Sequence, residues 1–212
     1  MSGVWAVLLA AGAGSRFGGG KLLAPFGEGR PLIEYTLSGL RGAPVDEIIV
    51  VVGKDAMELR SVCEPYGALV VNNPDWARGM STSVRAGLLA CAPLARAAVV
   101  ALADQPLVGA EAVARLVEAF EDGAKVAVAT YGDEPRNPVL FAREVWPLLL
   151  RELSGDKGAR VILMRHPELV TEVPCDDVAD PADVDTVEDL RRLEGELSAP
   201  LGGRNPRKGG TL

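Results

Sequence analysis

The sequence predicts an α/β fold: a three-layer arrangement around a mostly parallel sheet. Apolar runs at residues 4–9, 48–52 and 97–103 are continuous rather than alternating, as strands covered on both faces require. Between them stand segments with apolar residues at helical spacing, and strands that alternate with helices form parallel sheets through right-handed crossovers. A third observation concerns the first crossover. Gly12, Gly14 and Gly18 to Gly20 crowd the loop after the first run, together with Arg16 and Lys21.

Residues 4–9 read as the first strand. Pro31 opens a helix with Ile33, Leu37 and Leu40 on one face and Gly42 at its end. A strand at 47–52 closes on Gly53, a helix follows at 55–63, and 68–71 is the third strand. Residues 81–91 are helical, with Val84, Leu88 and Cys91 at i, i+4 and i+7. A fourth strand at 97–103, a helix at 110–120 and a fifth strand at 125–130 complete the regular part. Beyond Tyr131 the pattern loosens. Residues 138–141 read as another strand, running antiparallel, and 143–153 as a helix that Pro147 either kinks or starts. A short helix at 159–164 and a late strand at 169–173 follow. Thr186 to Asp189 is a capping-box signature opening a last helix through Leu193. We expect one domain over 1–195 and a disordered tail over 196–212, where Gly, Pro, Arg and Lys dominate.

Composition bounds the function. The 212 residues are 48% apolar and 24% charged, an ordinary globular balance. A net charge of −7 argues against nucleic-acid or membrane-surface partners, both of which reward a basic face. Cys63, Cys91 and Cys175 are scattered and form no CxxC pair, which suits reduced, buried thiols in a cytoplasmic protein. No run approaches the roughly 20 apolar residues of a membrane span. The apolar stretch 4–11 lacks a basic leader and is not read as a signal peptide.

Against this acidic background the cations of the glycine loop stand out. Backbone N–H groups and two fixed positive charges suit phosphates. The loop is not a Walker A motif: Ser15 replaces its first glycine, and Leu22 follows the lysine where a magnesium-binding hydroxyl belongs. Nor does G-x-G-x-x-x-G fit the dinucleotide fingerprint. Asp104, followed by Gln105 and Pro106, lies just past the fourth strand. There it is either a turn residue or a carboxylate for Mg²⁺, beside the loop if strands one and four are neighbours. Asp180, Asp183 and Asp185 precede the last helix, as dipole complements or as a second metal carboxylate. Ser81, Thr82 and Ser83 open a helix, either capping it or reading a ligand. Gly155 to Arg160 is a polar, cationic loop, either a plain helix entry or a phosphate site. His166, the single histidine, is read as a surface residue.

Together, Leu9-Ala10-Ala11-Gly12-x-Gly14-x-Arg16-x-Gly18-x-x-Lys21, the Gly79 to Val84 stretch, Asp104-Gln105-Pro106, the Gly155 to Arg160 loop and the Asp183 to Leu190 stretch resemble the molybdenum cofactor nucleotidyltransferases. The likeness runs from about Val4 to Leu193 and is greatest to the cytidylyltransferases. It implies a Rossmann-like nucleotidyltransferase fold and transfer of CMP from CTP to the terminal phosphate of molybdenum-molybdopterin, with release of pyrophosphate. Lys21 and Arg16 would neutralise the triphosphate, and Ala10, Ala11, Gly12 and Gly14 would approach the nucleotide. Ser83 would lie near the base. Asp104 and Asp185 would hold Mg²⁺, although Val187 replaces a usual proline and leaves Asp183 as an alternative. Lys157 and Arg160 would hold the acceptor, and an apo molybdoenzyme or its chaperone would receive the product. Related guanylyltransferases tend to carry glycine where this chain has Ala11, whose methyl would disfavour a purine. The alternatives are the same fold using GTP or a sugar or polyol phosphate, and a non-catalytic protein that holds the cofactor.

Overall fold

The computed structural model describes residues 2–158 and 160–197. In chain order it contains β1 (Val4–Ala10), a small hairpin of β2 (Pro25–Phe26) and β3 (Arg30–Pro31), α1 (Leu32–Arg41), β4 (Glu47–Val52) and α2 (Ala56–Cys63). Next come β5 (Leu69–Asn72), α3 (Met80–Ala90), β6 (Ala97–Leu102), α4 (Ala110–Glu121), β7 (Val126–Tyr131) and β8 (Glu134–Ala142). The chain continues through α5 (Trp146–Glu152), α6 (Arg160–Arg165), β9 (Val170–Pro174) and α7 (Val187–Leu197).

Seven strands form one sheet in the order β5-β4-β1-β6-β8-β7-β9. All pairings are parallel except those of β8, which runs antiparallel to β6 and β7. The α/β class and the antiparallel strand are thus as expected, and β8 begins earlier than its apolar run. The apolar runs are continuous because both faces are covered. Val4, Ala6, Leu8 and Ala10 of β1 face the layer of α1, α2 and α4 with Ile33, Leu59 and Leu116; Val7 and Leu9 face α3, α5 and α6 with Val84, Leu149 and Ile162. Pro147 lies in the first turn of α5 and starts that helix, where its missing N–H costs nothing.

A third cluster lies off the sheet. Phe26 and Leu32 from the hairpin and the start of α1 pack on Val184, Leu190 and Leu193. It fastens α7 and the acidic segment before it to the body of the domain. The α7 start is a capping box with Asp189 in the carboxylate role: Asp189 N–H donates to Thr186 Oγ1 at 3.1 Å, and Thr186 N–H donates back to Asp189 Oδ2 at 2.9 Å. The helix continues past the expected end at Leu193 to Leu197, which packs on this cluster. Residues 198–212 of the expected tail lie outside the described residues.

Cys63, Cys91 and Cys175 are all buried and unpaired. Burial pushes each thiol up to about 11, so they are protonated, inert packing groups. His166 is not a free surface residue. Its Nε2 lies 3.0 Å from Glu152 and its Nδ1 3.3 Å from Glu168.

Two outcomes test this packing. Gly87 of α3 faces the sheet, and a Cβ there would lie 2.2 Å from Val7 Cγ1. Gly87→Ala should therefore lower unfolding free energy by about 1–3 kcal/mol in urea titrations, the cost of overpacking exceeding the ~1 kcal/mol gain in helix propensity. The hydrogen bond to Glu152 raises the His166 pKa, and the same bond lowers that of Glu152. The histidine's contribution is full below its unfolded value and is lost as pH rises through the raised one; the carboxylate's is lost as pH falls through its lowered value. The stability difference between wild type and His166→Gln should peak at about pH 5–6 and shrink towards pH 9 in chemical unfolding series.

Candidate active site

Parallel pairing of β1 with β6 sets Leu9 opposite Leu102. The loop after β1 and the Asp104 turn after β6 therefore leave the sheet side by side, at the carboxyl ends where open α/β sheets bind ligands. Within the loop, Phe17 and Gly19 N–H both donate to the Gly14 carbonyl at 3.1 Å. Gly14 has φ 57° and Gly20 φ 63°, left-handed values that a side chain would strain. These turns fold the loop back so that Lys21 returns to the end of β1. Ala10, Gly12, Gly14, Lys21 and Asp104 line one recess of about 50 Å³. Ala11 is buried beside them, its carbonyl against Gly53, where a Cβ would also meet Trp76.

Lys21 Nζ donates to Asp104 Oδ2 at 2.7 Å and lies 3.5 Å from Asp185 Oδ1. Arg16 Nη1 holds the other Asp185 oxygen at 2.7 Å. Arg16, Lys21, Asp104 and Asp185, drawn from three distant stretches, thus form one ion network. Its two halves differ in weight. The Arg16 side chain is 77% exposed, so its pair contributes about 0–1 kcal/mol. Lys21 and Asp104 are 12% and 25% exposed, and a shielded charged hydrogen bond contributes about 1.5–3 kcal/mol.

Asp183 and Asp185 flank the fully buried Val184, whose N–H donates to the Asp104 carbonyl at 2.9 Å. Gln105, buried beneath, donates through Nε2 to Asp183 Oδ1 at 2.9 Å and to the Pro181 carbonyl at 3.0 Å. Both partners are acceptors, which fixes the orientation of the amide. Asp183 is thereby tied to Gln105, while Asp185 shares Lys21 with Asp104. Desolvation first, and the Asp104 charge second, push the Asp183 carboxyl above the usual range. Asp180 is locally engaged, accepting from Ala182 N–H at 2.9 Å.

A cation already bridges Asp104 and Asp185, so this donor set suits a hard divalent ion. Among the described residues no group of three or more His, Cys, Asp and Glu stands ready to hold one. An ion such as Mg²⁺ needs only one or two carboxylates and completes its shell with phosphate and water.

Beside the network opens a cavity of about 770 Å³. Its wall is apolar, with Leu9, Val84, Val100, Leu102 and Val139, and its polar rim includes Gln105, Arg136, Asn137, Asp156, Arg160 and Asp183. Arg160, expected at an acceptor site, lines this cavity; the Lys157 side chain lies outside the described residues. Ser83 differs from expectation. Its hydroxyl is buried and accepts from Asn73 Nδ2 at 3.0 Å, and the same amide donates to Thr82 Oγ1 at 2.8 Å. Ser83 is absorbed in fixing the start of α3. Asn73, Gln105 and Arg136 receive no role from sequence alone; only Gln105 carries a signal there, as the middle residue of the Asp104 motif.

The sequence profile of the MobA-like NTP transferase domain matches residues 6–170. Nicotine blue oxidoreductase of Paenarthrobacter nicotinovorans is 38% identical over 200 residues, covering 90% of this chain and 96% of that protein. A probable molybdenum cofactor guanylyltransferase of Thermococcus kodakarensis is 37% identical over 122 residues, 57% of this chain and 55% of its own length. Among solved structures, the homologue of Rv0371c from mycobacterium sp. strain JC1 superposes with a TM-score of 0.82 at 36% identity, covering 92% of this chain and 97% of that one. Rv0371c of Mycobacterium tuberculosis, solved in complex with manganese, gives 0.77 at 30% identity, covering 91% and 97%.

Replacing Gln105 with leucine strips Asp183 and the Pro181 carbonyl of their shared donor. Unfolding free energy should fall by about 1–3 kcal/mol. A urea midpoint equal to wild type would show that the tie is idle.

Proposed function

The chain belongs to the MobA-like NTP transferase family, and from that premise we propose that it transfers CMP from CTP to the terminal phosphate of molybdenum-molybdopterin. The observation that carries this reading is the convergence of Lys21, Arg16, Asp104 and Asp185 in one ion network, next to Gln105 and Asp183, which line the large cavity. Cations for a triphosphate and carboxylates for a metal meet there, beside room for a second substrate. The other support is the set of sequence motifs, with the relative named for guanylyl transfer to the molybdenum cofactor.

In the proposed reaction an acceptor phosphate oxygen attacks the α-phosphorus of CTP. A new P–O bond forms, the bond to the bridging oxygen of the β-phosphate breaks, and pyrophosphate leaves with the electron pair. No protein nucleophile is required; two anions must be aligned and their repulsion offset. Asp104 and Asp185 would hold Mg²⁺, which when bound withdraws charge from the phosphates. Lys21 and Arg16 turn from their carboxylates to the triphosphate. Backbone N–H groups at Gly12 and Gly14 approach it closely, where a side chain would stand in the way. Arg160 and Arg136 offer positive charge to the acceptor, and the apolar wall of the cavity takes its ring system.

The choice of CTP rests on Ala11. It is buried at the end of β1 with its carbonyl against Gly53, and in this reading its methyl disfavours a purine. A single methyl discriminates by about 1–3 kcal/mol, which corresponds to roughly ten- to 200-fold between bases.

The decisive experiment offers molybdenum-molybdopterin and each of the four nucleoside triphosphates to the purified protein with Mg²⁺. Pyrophosphate and the nucleotide adduct are measured by mass spectrometry. CTP should dominate. A preference for GTP sinks the Ala11 argument, transfer only to a sugar or polyol phosphate replaces the acceptor, and cofactor retention without pyrophosphate points to a holding protein. Oxidation or reduction of nicotine blue without pyrophosphate would move the chain towards its oxidoreductase relative. Lys21→Ala should lower turnover about 10²–10³-fold and, through loss of the Lys21–Asp104 pair, unfolding free energy by about 1.5–3 kcal/mol. Asp104→Asn should shift the Mg²⁺ activation curve to higher concentration, and an unchanged curve would remove it as a ligand.

A further inference from the structure

Lys21 and a divalent ion compete for the same oxygens. The ammonium lies 2.7 Å from Asp104 and 3.5 Å from Asp185, in the gap between the two carboxylates, and its side chain is 12% exposed. A divalent ion at about 2.1 Å from either oxygen would meet that ammonium at close range, dication against cation. Both cannot stay. Lys21 stands at the end of the glycine loop, and that loop presents no carboxylate of its own between Gly12 and Gly20. Apart from Asp55, which lines the same recess, a displaced lysine gains a new anion when a triphosphate arrives.

We infer that Lys21 is the resident cation of the Asp104–Asp185 pair, and that its exchange for a divalent ion couples metal binding to nucleotide binding. The inference rests on the proposed use of these carboxylates as metal ligands. Metal alone must expel Lys21 from its two carboxylates, with Asp55 the one other carboxylate lining the recess among the described residues. Metal with nucleotide exchanges one set of ion pairs for another, because the ammonium passes from carboxylate to phosphate as the metal takes its place. Arg16 makes the same transfer from Asp185 with less effect, being exposed. Linkage then requires that each ligand tighten the other by one common factor. Lys21 thus has two tasks: it neutralises phosphate in the loaded site and holds the metal carboxylates together in the empty one.

The coupling predicts a variant that turns over poorly and binds metal better. Mn²⁺ binding to the whole protein, without nucleotide, is followed by the electron paramagnetic resonance signal of the free ion. Lys21→Met should bind Mn²⁺ at least about tenfold more tightly than wild type, because two carboxylates lose their internal cation. Lys21→Arg, which keeps the charge, should bind as weakly as wild type. Adding CTP without acceptor should tighten Mn²⁺ in wild type beyond what Mn²⁺–CTP complexation in solution accounts for, and much less in Lys21→Met. Lys21→Gln repeats the measurement should the methionine variant misfold. Neutral variants that are folded by circular dichroism yet bind Mn²⁺ no better than wild type overturn the exchange. If they tighten Mn²⁺ while CTP has no effect on any protein, the exchange stands and the choice of CTP fails.

Discussion

One pairing organises this molecule: β1 lies parallel to β6 at the centre of the sheet. Parallel strands end on the same side. The glycine loop and the Asp104 turn, more than 80 residues apart in sequence, therefore emerge together without any contact needing to steer them. The ion network, the recess and the cavity mouth follow from that register. A shift along the strands would separate Lys21 from Asp104 and bury loop residues, and the residues inside the sheet forbid it. Leu8, Val7 and Val99 are each fully buried, and a one-residue slip would exchange the two faces.

The chain handles charge economically. It is acidic overall, yet it gathers two cations and three carboxylates within one small region. Both cations are paired with Asp104 and Asp185, and Asp183 is held by the Gln105 amide. The site thus carries internal counter-ions. Exposure sets the order of importance: the shielded Lys21–Asp104 contact dominates, and the exposed Arg16–Asp185 contact trims it.

Most of the sheet is legible in the sequence because buried parallel strands leave unbroken apolar runs and their helices leave a clean stripe. Lys21, Arg16 and Asp104 are legible because fixed charge beside glycine at a strand end serves no packing purpose. What escapes has identifiable causes. The β2–β3 hairpin has two residues on each side, too few to show a period. Ser83 misleads because a hydroxyl at a helix start looks the same whether it meets a ligand or, as here, Asn73. The ambiguity between Asp183 and Asp185 lies outside local pattern altogether. The two are told apart in the fold by Gln105, 78 positions from Asp183, which ties that carboxylate, while Asp185 lies near Lys21; Val184 between them turns into the third cluster. Arg136 sits in a stretch with no periodicity.

That third cluster has a further implication. Asp185 is held to the domain by a handful of apolar side chains from a two-residue hairpin, the start of α1 and the last helix, all off the sheet. The main cores would survive its loosening. The placement of Asp185 therefore depends on a small satellite fastened to a far larger platform. Selection for heat tolerance would act first on Phe26, Leu32 and Leu193 rather than on the sheet. Adaptation of the working temperature could thus proceed by repacking a few side chains, leaving the strand register and the nucleotide loop untouched.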